Sequence, residues 1–77
     1  MRASSYVAAQ RYEEAVADLN KAIELKPDDA IAYENRGWAY EEKGELDKAI
    51  ENYRRSAQLD PNYQVPRENL ERLGIKP

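Results

Sequence analysis

Residues 30–61 read AIAYENRGWAYEEKGELDKAIENYRRSAQLDP, which divides into two amphipathic segments of similar length. In each segment apolar residues recur every three or four positions, so each is expected to form a helix that buries one face. Gly37 and Ala49 are small where larger side chains would hold the two helix axes apart. Gly44 tolerates the positive φ of a tight turn, and Pro61 ends the second helix. These residues therefore predict a helical hairpin.

The same pattern recurs on both sides of this hairpin at a spacing of 34 residues. The matching pairs are Tyr6 with Tyr40, Ala15 with Ala49, Val16 with Ile50, Leu25 with Leu59, Pro27 with Pro61 and Asp28 with Asn62. A period of this length, with aromatic, small and proline residues in a fixed order, resembles the tetratricopeptide repeat. The family's series of positions appears here as Tyr33, Gly37, Tyr40, Ala49, Tyr53 and Pro61. Ser56 departs from the family pattern, because the first copy has the usual small residue, Ala22, at that position.

The resemblance implies an all-α fold, a solenoid of helical hairpins, and it covers nearly the whole chain as one domain. On this alignment, residues 1–27 are a first repeat that is truncated at its start, residues 28–61 are a complete repeat, and residues 62–77 form a closing helix with a polar outer face. Pro66 departs from the pattern because proline has no amide hydrogen, so the closing helix is expected to start near Val65 or Pro66. A fragment excised or engineered from a longer array would fit the same pattern.

The junction between the two helices of the first repeat lacks the glycine that the complete repeat has. Gln10 stands where the second copy has Gly44, and residues 3–25 contain neither glycine nor proline. Holding Gln10 in a left-handed conformation would cost about 1 kcal/mol, so local propensity favours one continuous helix. We nevertheless predict a tight turn at residues 9–11, with packing overriding propensity. The alternative is a straight helix whose N-terminal part docks on a second molecule in a domain swap.

The composition of the 77-residue chain argues against several classes of function. With no cysteine and no histidine, the chain has no thiolate nucleophile, no imidazole base and no metal site built from sulfur or nitrogen ligands. Its carboxylates fall on helix faces expected to be solvated, so we expect no enzymatic activity, no catalytic residue, no metal and no cofactor. The net charge of −3 argues against nucleic acid as a partner, because phosphate binding requires a concentrated basic patch.

The chain also lacks the apolar segments that direct a protein to a membrane. No apolar run approaches the roughly 20 residues that a membrane-spanning helix requires. The first residues lead into no apolar core of a signal peptide. The sequence therefore predicts a cytoplasmic protein without a membrane partner.

The resemblance also implies a concave groove, lined by the first helix of each pair, in which a protein or peptide partner binds. The expected partner-binding residues are Ile31, Glu34, Asn35, Trp38, Glu41, Glu42, Asn69 and Arg72. Trp38 is either packed on an adjacent helix or an aromatic anchor for the partner, since tryptophan is enriched at binding hot spots. The three glutamates make the middle of the groove acidic and favour a neutral or basic partner, unless they simply coat solvated helix faces.

Self-assembly is the competing function. About three repeats are usually needed for a stable stack, and this chain has fewer. The open N-terminal end is expected to expose apolar surface, and the residues expected to mediate self-association there are Ala3, Tyr6, Val16 and Leu19. Two copies joined through this end would form a homo-oligomer in which the chain acts as a structural scaffold.

Overall fold

The computed structural model describes the backbone of residues 2–75 and the side chains from Gln10 to Ile75. Within these bounds the chain forms four helices and no strand: α1 (Arg2–Leu25), α2 (Ala30–Lys43), α3 (Leu46–Leu59) and α4 (Val65–Arg72). The predicted all-α class is confirmed. None of the four helices combines the length and the apolarity that crossing a membrane requires.

Helix α1 runs through the junction of the first repeat without interruption. The predicted turn at residues 9–11 is therefore wrong, and the alternative of one continuous helix is correct. The physical reason is local, because within residues 2–75 positive φ occurs only at Gly44 and Gly74, and a turn would force Gln10 into that conformation at a cost of about 1 kcal/mol. At about 1.5 Å per residue α1 is about 36 Å long, so its N-terminal part does not fold back along its C-terminal part.

Helices α2 and α3 form the predicted helical hairpin. Asp29 caps α2, since its Oδ1 accepts a hydrogen bond from the Ala32 amide over 3.2 Å. At the other end Gly44 has a φ of 87°, and its amide donates to the Glu41 carbonyl oxygen over 3.0 Å. This left-handed residue reverses the chain and lets α3 begin at Leu46.

The hairpin closes tightly because a glycine faces a large aromatic ring. Tyr53 and Ala49 are fully buried on α3. A Cβ placed on Gly37 would lie 2.8 Å from two Tyr53 ring carbons and 3.2 Å from the Ala49 carbonyl oxygen. The close approach predicted at Gly37 and Ala49 is confirmed, and it brings α2 against the Tyr53 ring.

Helix α4 closes the other side of α3. It begins at Val65, as predicted, with Pro66 in its first turn. Leu70 joins Tyr53 in the buried core, and Ile75 packs against the same cluster. The core of the molecule therefore lies where α2, α3 and α4 meet.

Extensive packing joins consecutive helices, namely α1 with α2, α2 with α3 and α3 with α4. The resulting layer measures 39 × 31 × 16 Å. Its short dimension is only slightly larger than one helix diameter of about 10–12 Å. The side of α1 and α2 that bears Trp38 has no further helix over it within residues 2–75, and Trp38 and Ile31 are exposed there.

Candidate functional site

One side of the α1–α2 pair presents aromatic and aliphatic side chains to solvent. Ile31, Asn35 and Trp38 recur on α2 at helical spacing, so they lie on one side of the helix, and all three are exposed. The Trp38 ring stands edge-on to the Tyr12 ring of α1, with the ring centroids 5.5 Å apart and the planes at 82°. Leu19, two turns along α1 from Tyr12, is half-buried. We call Tyr12, Leu19, Ile31, Asn35 and Trp38 the Trp38 face.

Glu34, which the sequence predicts to line the groove, lies inside the fold and is 9% exposed. Its Oε1 accepts a hydrogen bond from the Tyr63 hydroxyl at 3.1 Å, and its Oε2 accepts one from Asn69 Nδ2 at 3.3 Å. Burial of the hydroxyl and the negative charge of Glu34 raise the pKa of Tyr63. Glu34 thus ties α2 to α4 and to the segment that precedes α4.

Glu41 is the centre of a second polar cluster, which joins α2, α3 and α4. Arg72 donates two hydrogen bonds to it, from Nη1 to Oε2 at 2.6 Å and from Nη2 to Oε1 at 2.7 Å. The Tyr53 hydroxyl donates a third to Oε1 at 2.8 Å. We call Glu41, Tyr53 and Arg72 the Glu41 network. Its two parallel arginine–carboxylate bonds give the contact a fixed direction as well as strength.

The Glu41 network shifts the acidity of its members in opposite directions. The hydrogen bonds from Arg72 outweigh the effect of burial and, together with the bond from Tyr53, hold the pKa of Glu41 below the usual carboxyl value of 4.5. Burial, reinforced by the Glu41 carboxylate, raises the pKa of Tyr53 above its usual value. Around neutral pH the network is therefore held in one state, with Glu41 ionised and Tyr53 protonated.

We expect acid to destabilise the fold through Glu41. Because the pKa of Glu41 is lower in the folded chain than in the unfolded chain, its contribution to the free energy of unfolding is complete above about pH 4.5 and is lost as the pH falls through the folded-state pKa. Glu41→Gln should remove this part of the acid dependence and lower the stability at neutral pH. Urea titrations followed by circular dichroism, from neutral to strongly acidic pH, measure both effects.

Glu42 is the matched control for this prediction. It is exposed beside Glu41 on α2 and makes no side-chain hydrogen bond or ion pair to any of the described side chains. Glu42→Gln should keep the acid profile of the wild type. If Glu41→Gln also kept that profile, the Glu41 network would contribute nothing to the pH dependence of stability.

The eight residues predicted to bind a partner divide between the surface and the interior. The exposed members are Ile31, Asn35, Trp38, Glu42 and Arg72, whereas Asn69 is half-buried and Glu34 and Glu41 are bonded to other helices. Among these three glutamates only Glu42 is exposed. The carboxylates of Glu34 and Glu41 are already hydrogen-bonded inside the protein and are not free to bind a partner. The role of the set in binding a partner stays a prediction.

The residues expected to mediate self-association at the open end of α1 have different surroundings. The side chains of Ala3 and Tyr6 lie outside the described part of the chain. Val16 is only 8% exposed, because α1 packs along α2, so its expected exposure is wrong. Leu19 is half-buried. The role of these residues in self-association is still a prediction.

Arg36 joins three helices through contacts that the sequence analysis missed. Its Nε donates to Asn52 Oδ1 on α3 at 2.6 Å, and its Nη1 donates to Asn20 Oδ1 on α1 at 2.9 Å. The guanidinium carbon lies 5.0 Å from the centre of the Tyr33 ring. The sequence carries one signal for a role of Arg36, since an arginine also stands 34 residues earlier, at Arg2.

The described residues offer no arrangement typical of a metal or cofactor centre. No group of three or more His, Cys, Asp or Glu side chains in this part of the chain is placed to hold a metal ion. An open cleft of about 360 Å³ between α2 and α3 is lined by Tyr33, Arg36, Glu51, Asn52, Arg54, Arg55 and Gln58. Every buried polar side-chain atom from Gln10 to Ile75 has a hydrogen-bond partner, so none marks a place where a ligand is missing.

Comparison with known proteins identifies similar sequences across nearly the whole chain. A family model described as tetratricopeptide repeat matches residues 1–63. Protein unc-45 homolog B of Xenopus tropicalis is 37% identical over 73 residues, which cover 95% of this chain and 8% of that protein. Heat shock protein STI1 of Saccharomyces cerevisiae is 26% identical over 72 residues, covering 94% of this chain and 12% of that protein. Tetratricopeptide repeat domain-containing protein PYG7, chloroplastic, of Arabidopsis thaliana is 33% identical over 69 residues, which cover 90% of this chain and 23% of that protein.

The chain thus spans less than a quarter of each of these three relatives. The similarity therefore concerns a module within them and not their whole length. The 34-residue period, the tight α2–α3 hairpin and the match over residues 1–63 agree with one another. The chain belongs to the tetratricopeptide repeat family, whose members generally act as protein-interaction modules.

Proposed function

We propose that this chain is a non-catalytic module that binds a protein or peptide through the Trp38 face. The proposal rests on the state of Trp38, whose ring is held against Tyr12 while 45% of its surface stays exposed. The Trp38 ring is therefore packed on an adjacent helix and still accessible to a partner, which supports its proposed role as an anchor. An aromatic ring that is already held in place loses little conformational freedom on binding, which favours its use as an anchor. Family membership supports the general class of function.

We also propose that residues 28–61 are the complete repeat, residues 62–77 its closing helix and residues 1–27 the remaining part of a preceding repeat. The α2–α3 hairpin supports the first assignment, and the packing of α4 on α3 supports the second. In this arrangement α3 packs against α2, and hydrogen bonds from Asn69 and Arg72 join α4 to α2. The Trp38 face then stands on rigid elements, as a specific binding surface requires.

The partner that fits this face best is neutral or basic. Glu42 exposes its carboxylate beside Trp38, and the chain has a net charge of −3. An acidic partner would meet this excess of negative charge and associate less readily. The preference is weaker than three exposed glutamates would give, because Glu41 is paired with Arg72 and Glu34 is bonded inside the fold.

Trp38→Ala tests the proposed site. The probes are peptides selected from a random display library on the immobilised wild-type protein, so no partner has to be known in advance. We expect the selected peptides to bind Trp38→Ala at least about fivefold more weakly, since removing an aromatic anchor costs about 1 kcal/mol or more. Titration calorimetry measures the affinities, at a protein concentration where light scattering shows a monomer.

Leu46→Ala is the matched control for this experiment. Leu46 is 48% exposed, close to the exposure of Trp38, but it lies at the start of α3. Peptides should bind the Leu46→Ala variant as they bind the wild type, and circular dichroism should show the same helicity for all three proteins. If the peptides bind Trp38→Ala as tightly as the wild type, the binding site lies elsewhere. Selected peptides rich in Asp and Glu would overturn the proposed charge preference.

A separate observation favours self-assembly as a second function. Because α1 continues through residues 9–11, its leading part cannot fold back over the Trp38 face of the same chain. A second copy can reach this face, which would make the chain a homo-oligomeric scaffold. Light scattering after size exclusion, over a wide range of protein concentration, tests this function. A monomer at every concentration would overturn it.

A further inference from the structure

The complete repeat shows which residues meet when one of these hairpins closes. Gly37 of α2 lies against Tyr53 of α3. The residues that stand 34 positions earlier are Ala3 and Leu19, and both belong to α1. Sixteen residues of one straight helix separate them by about 24 Å, so they cannot meet within one chain. The leading part of α1 from a second chain can supply this contact.

Hydrophobic residues stand 34 positions before each member of the Glu41 network. The residues that correspond to Glu41, Tyr53 and Arg72 in the preceding repeat are Val7, Leu19 and Trp38. Glu41 contacts the other two members of the network through hydrogen bonds. The shifted contacts would place Val7 against both Leu19 and Trp38. Because the carboxylate, the hydroxyl and the guanidinium are all replaced together, the shifted contacts leave no charged group buried without a partner.

A charged pair arises in the same way beside these apolar contacts. Arg36 donates a hydrogen bond to Asn52 in the complete repeat. The residues 34 positions earlier are Arg2 and Asp18, so the shift replaces a hydrogen bond to a neutral group with a pair of opposite charges. Asp18 is exposed on α1, where a second chain can reach it. The leading part of α1 thus complements the Trp38 face in hydrophobicity and the adjacent Asp18 in charge.

We propose that residues 2–9 of a second copy occupy the Trp38 face, with Val7 and Arg2 making the two sets of contacts just described. Because each copy has both the segment and the face, the two α1 helices lie antiparallel and every contact occurs twice about a twofold axis near Gln10. The occupant is a second copy of this chain, and the inference rests on the self-assembly proposed as its second function. It specifies the register in which the two chains meet.

Opposite charge changes test this register. Arg2→Asp and Asp18→Arg each place two like-charged pairs in a dimer, so we expect either variant alone to dimerise about tenfold more weakly than the wild type. An equimolar mixture of the two variants restores opposite charges at both places, and it should dimerise within about threefold of the wild type. Light scattering over a range of concentration gives the dimerisation constants, and native mass spectrometry identifies the mixed dimer.

Arg54→Asp is the matched control, because Arg54 is exposed on α3 and lies outside the proposed contact. It should dimerise as the wild type does. A wild-type dimer that neither charge variant weakens would overturn the register alone and leave self-assembly standing. A wild-type monomer at all concentrations would overturn both. Weak variants whose mixture does not recover would also overturn the register, because residues 2 and 18 would then not face each other in the dimer.

Discussion

Replacement of Gly37 by leucine is expected to destabilise the domain by about 2–3 kcal/mol. Even a single Cβ at this position would lie 2.8 Å from two ring carbons of Tyr53, and that ring is fully buried and cannot move into solvent. Overpacking of this kind costs about 1–3 kcal/mol and occasionally more, and leucine adds three further carbon atoms to the clash. The better helix propensity of leucine returns only about 0.8 kcal/mol. A domain of this length has about 3–5 kcal/mol to lose.

Circular dichroism at 222 nm during urea titration measures this effect. Ala17→Leu is the matched control, because Ala17 is exposed on α1 and a leucine there meets no buried ring. The free energy of unfolding of the control should stay within about 0.5 kcal/mol of the wild-type value. A Gly37→Leu protein with the midpoint of the wild type would mean that α2 and α3 do not need this close approach.

Tyr53→Ala is expected to cost about 3–5 kcal/mol, the usual range for removing a large buried aromatic ring. The ring fills the space between α2 and α3 opposite Gly37, and its hydroxyl donates to Glu41. Tyr53→Phe keeps the ring and removes only the hydroxyl, so it should cost about 1 kcal/mol, because the Glu41 carboxylate keeps its two bonds from Arg72. The difference between the two variants separates packing from hydrogen bonding.

Both variants are measured by urea titration, with trimethylamine N-oxide added to restore folding where Tyr53→Ala is unfolded in buffer. The expected order of stability is wild type, then Tyr53→Phe, then Tyr53→Ala. Equal losses for the two variants would show that the hydroxyl, and not the ring, holds α2, α3 and α4 together. The core assigned to this part of the molecule would then be wrong.

The hairpin was predictable because its key positions allow few alternatives. Gly37 and Ala49 lie where a larger side chain would collide with the facing helix, and Gly44 has a φ of 87° that other residues adopt only at a cost. A constraint imposed by excluded volume or by the backbone appears directly in the residue type. The fold class and the boundaries of α2 and α3 could therefore be predicted from residues 30–61.

The course of α1 was not predicted, although the sequence contained the relevant signal. The 34-residue period shows which residues of two repeats correspond, but it does not show whether the chain turns between them. That outcome depends on whether the packing gained by a turn exceeds the local cost at Gln10, and periodicity measures neither quantity. The continuous helix from Arg2 to Leu25 shows that the local preference prevails within one chain.

The candidate site was predictable only in part. The helical spacing of Ile31, Asn35 and Trp38 places them on one face, and the structure has all three exposed. The same spacing places Glu34 and Glu41 near that face but cannot identify their partners. Apart from Tyr53, which is 12 residues from Glu41, these partners lie 29–35 residues further along the chain. Hydrogen-bond partners at such distances follow from the packing of α4, so sequence periodicity could not reveal that these carboxylates are bonded inside the fold.

The packing of consecutive helices also determines how the molecule folds and how it can grow. Among the described side chains, the hydrogen bond with the longest sequence separation joins Asn69 to Glu34 across 35 residues. Chains in which each helix packs mainly on its neighbours along the sequence fold rapidly, and the α2–α3 hairpin is a sufficient starting point to which α1 and α4 add from either side. Assembly therefore needs no final step that closes the two ends of the chain against each other. Another hairpin joined after α4 would extend the structure without rearranging the α2–α3 hairpin.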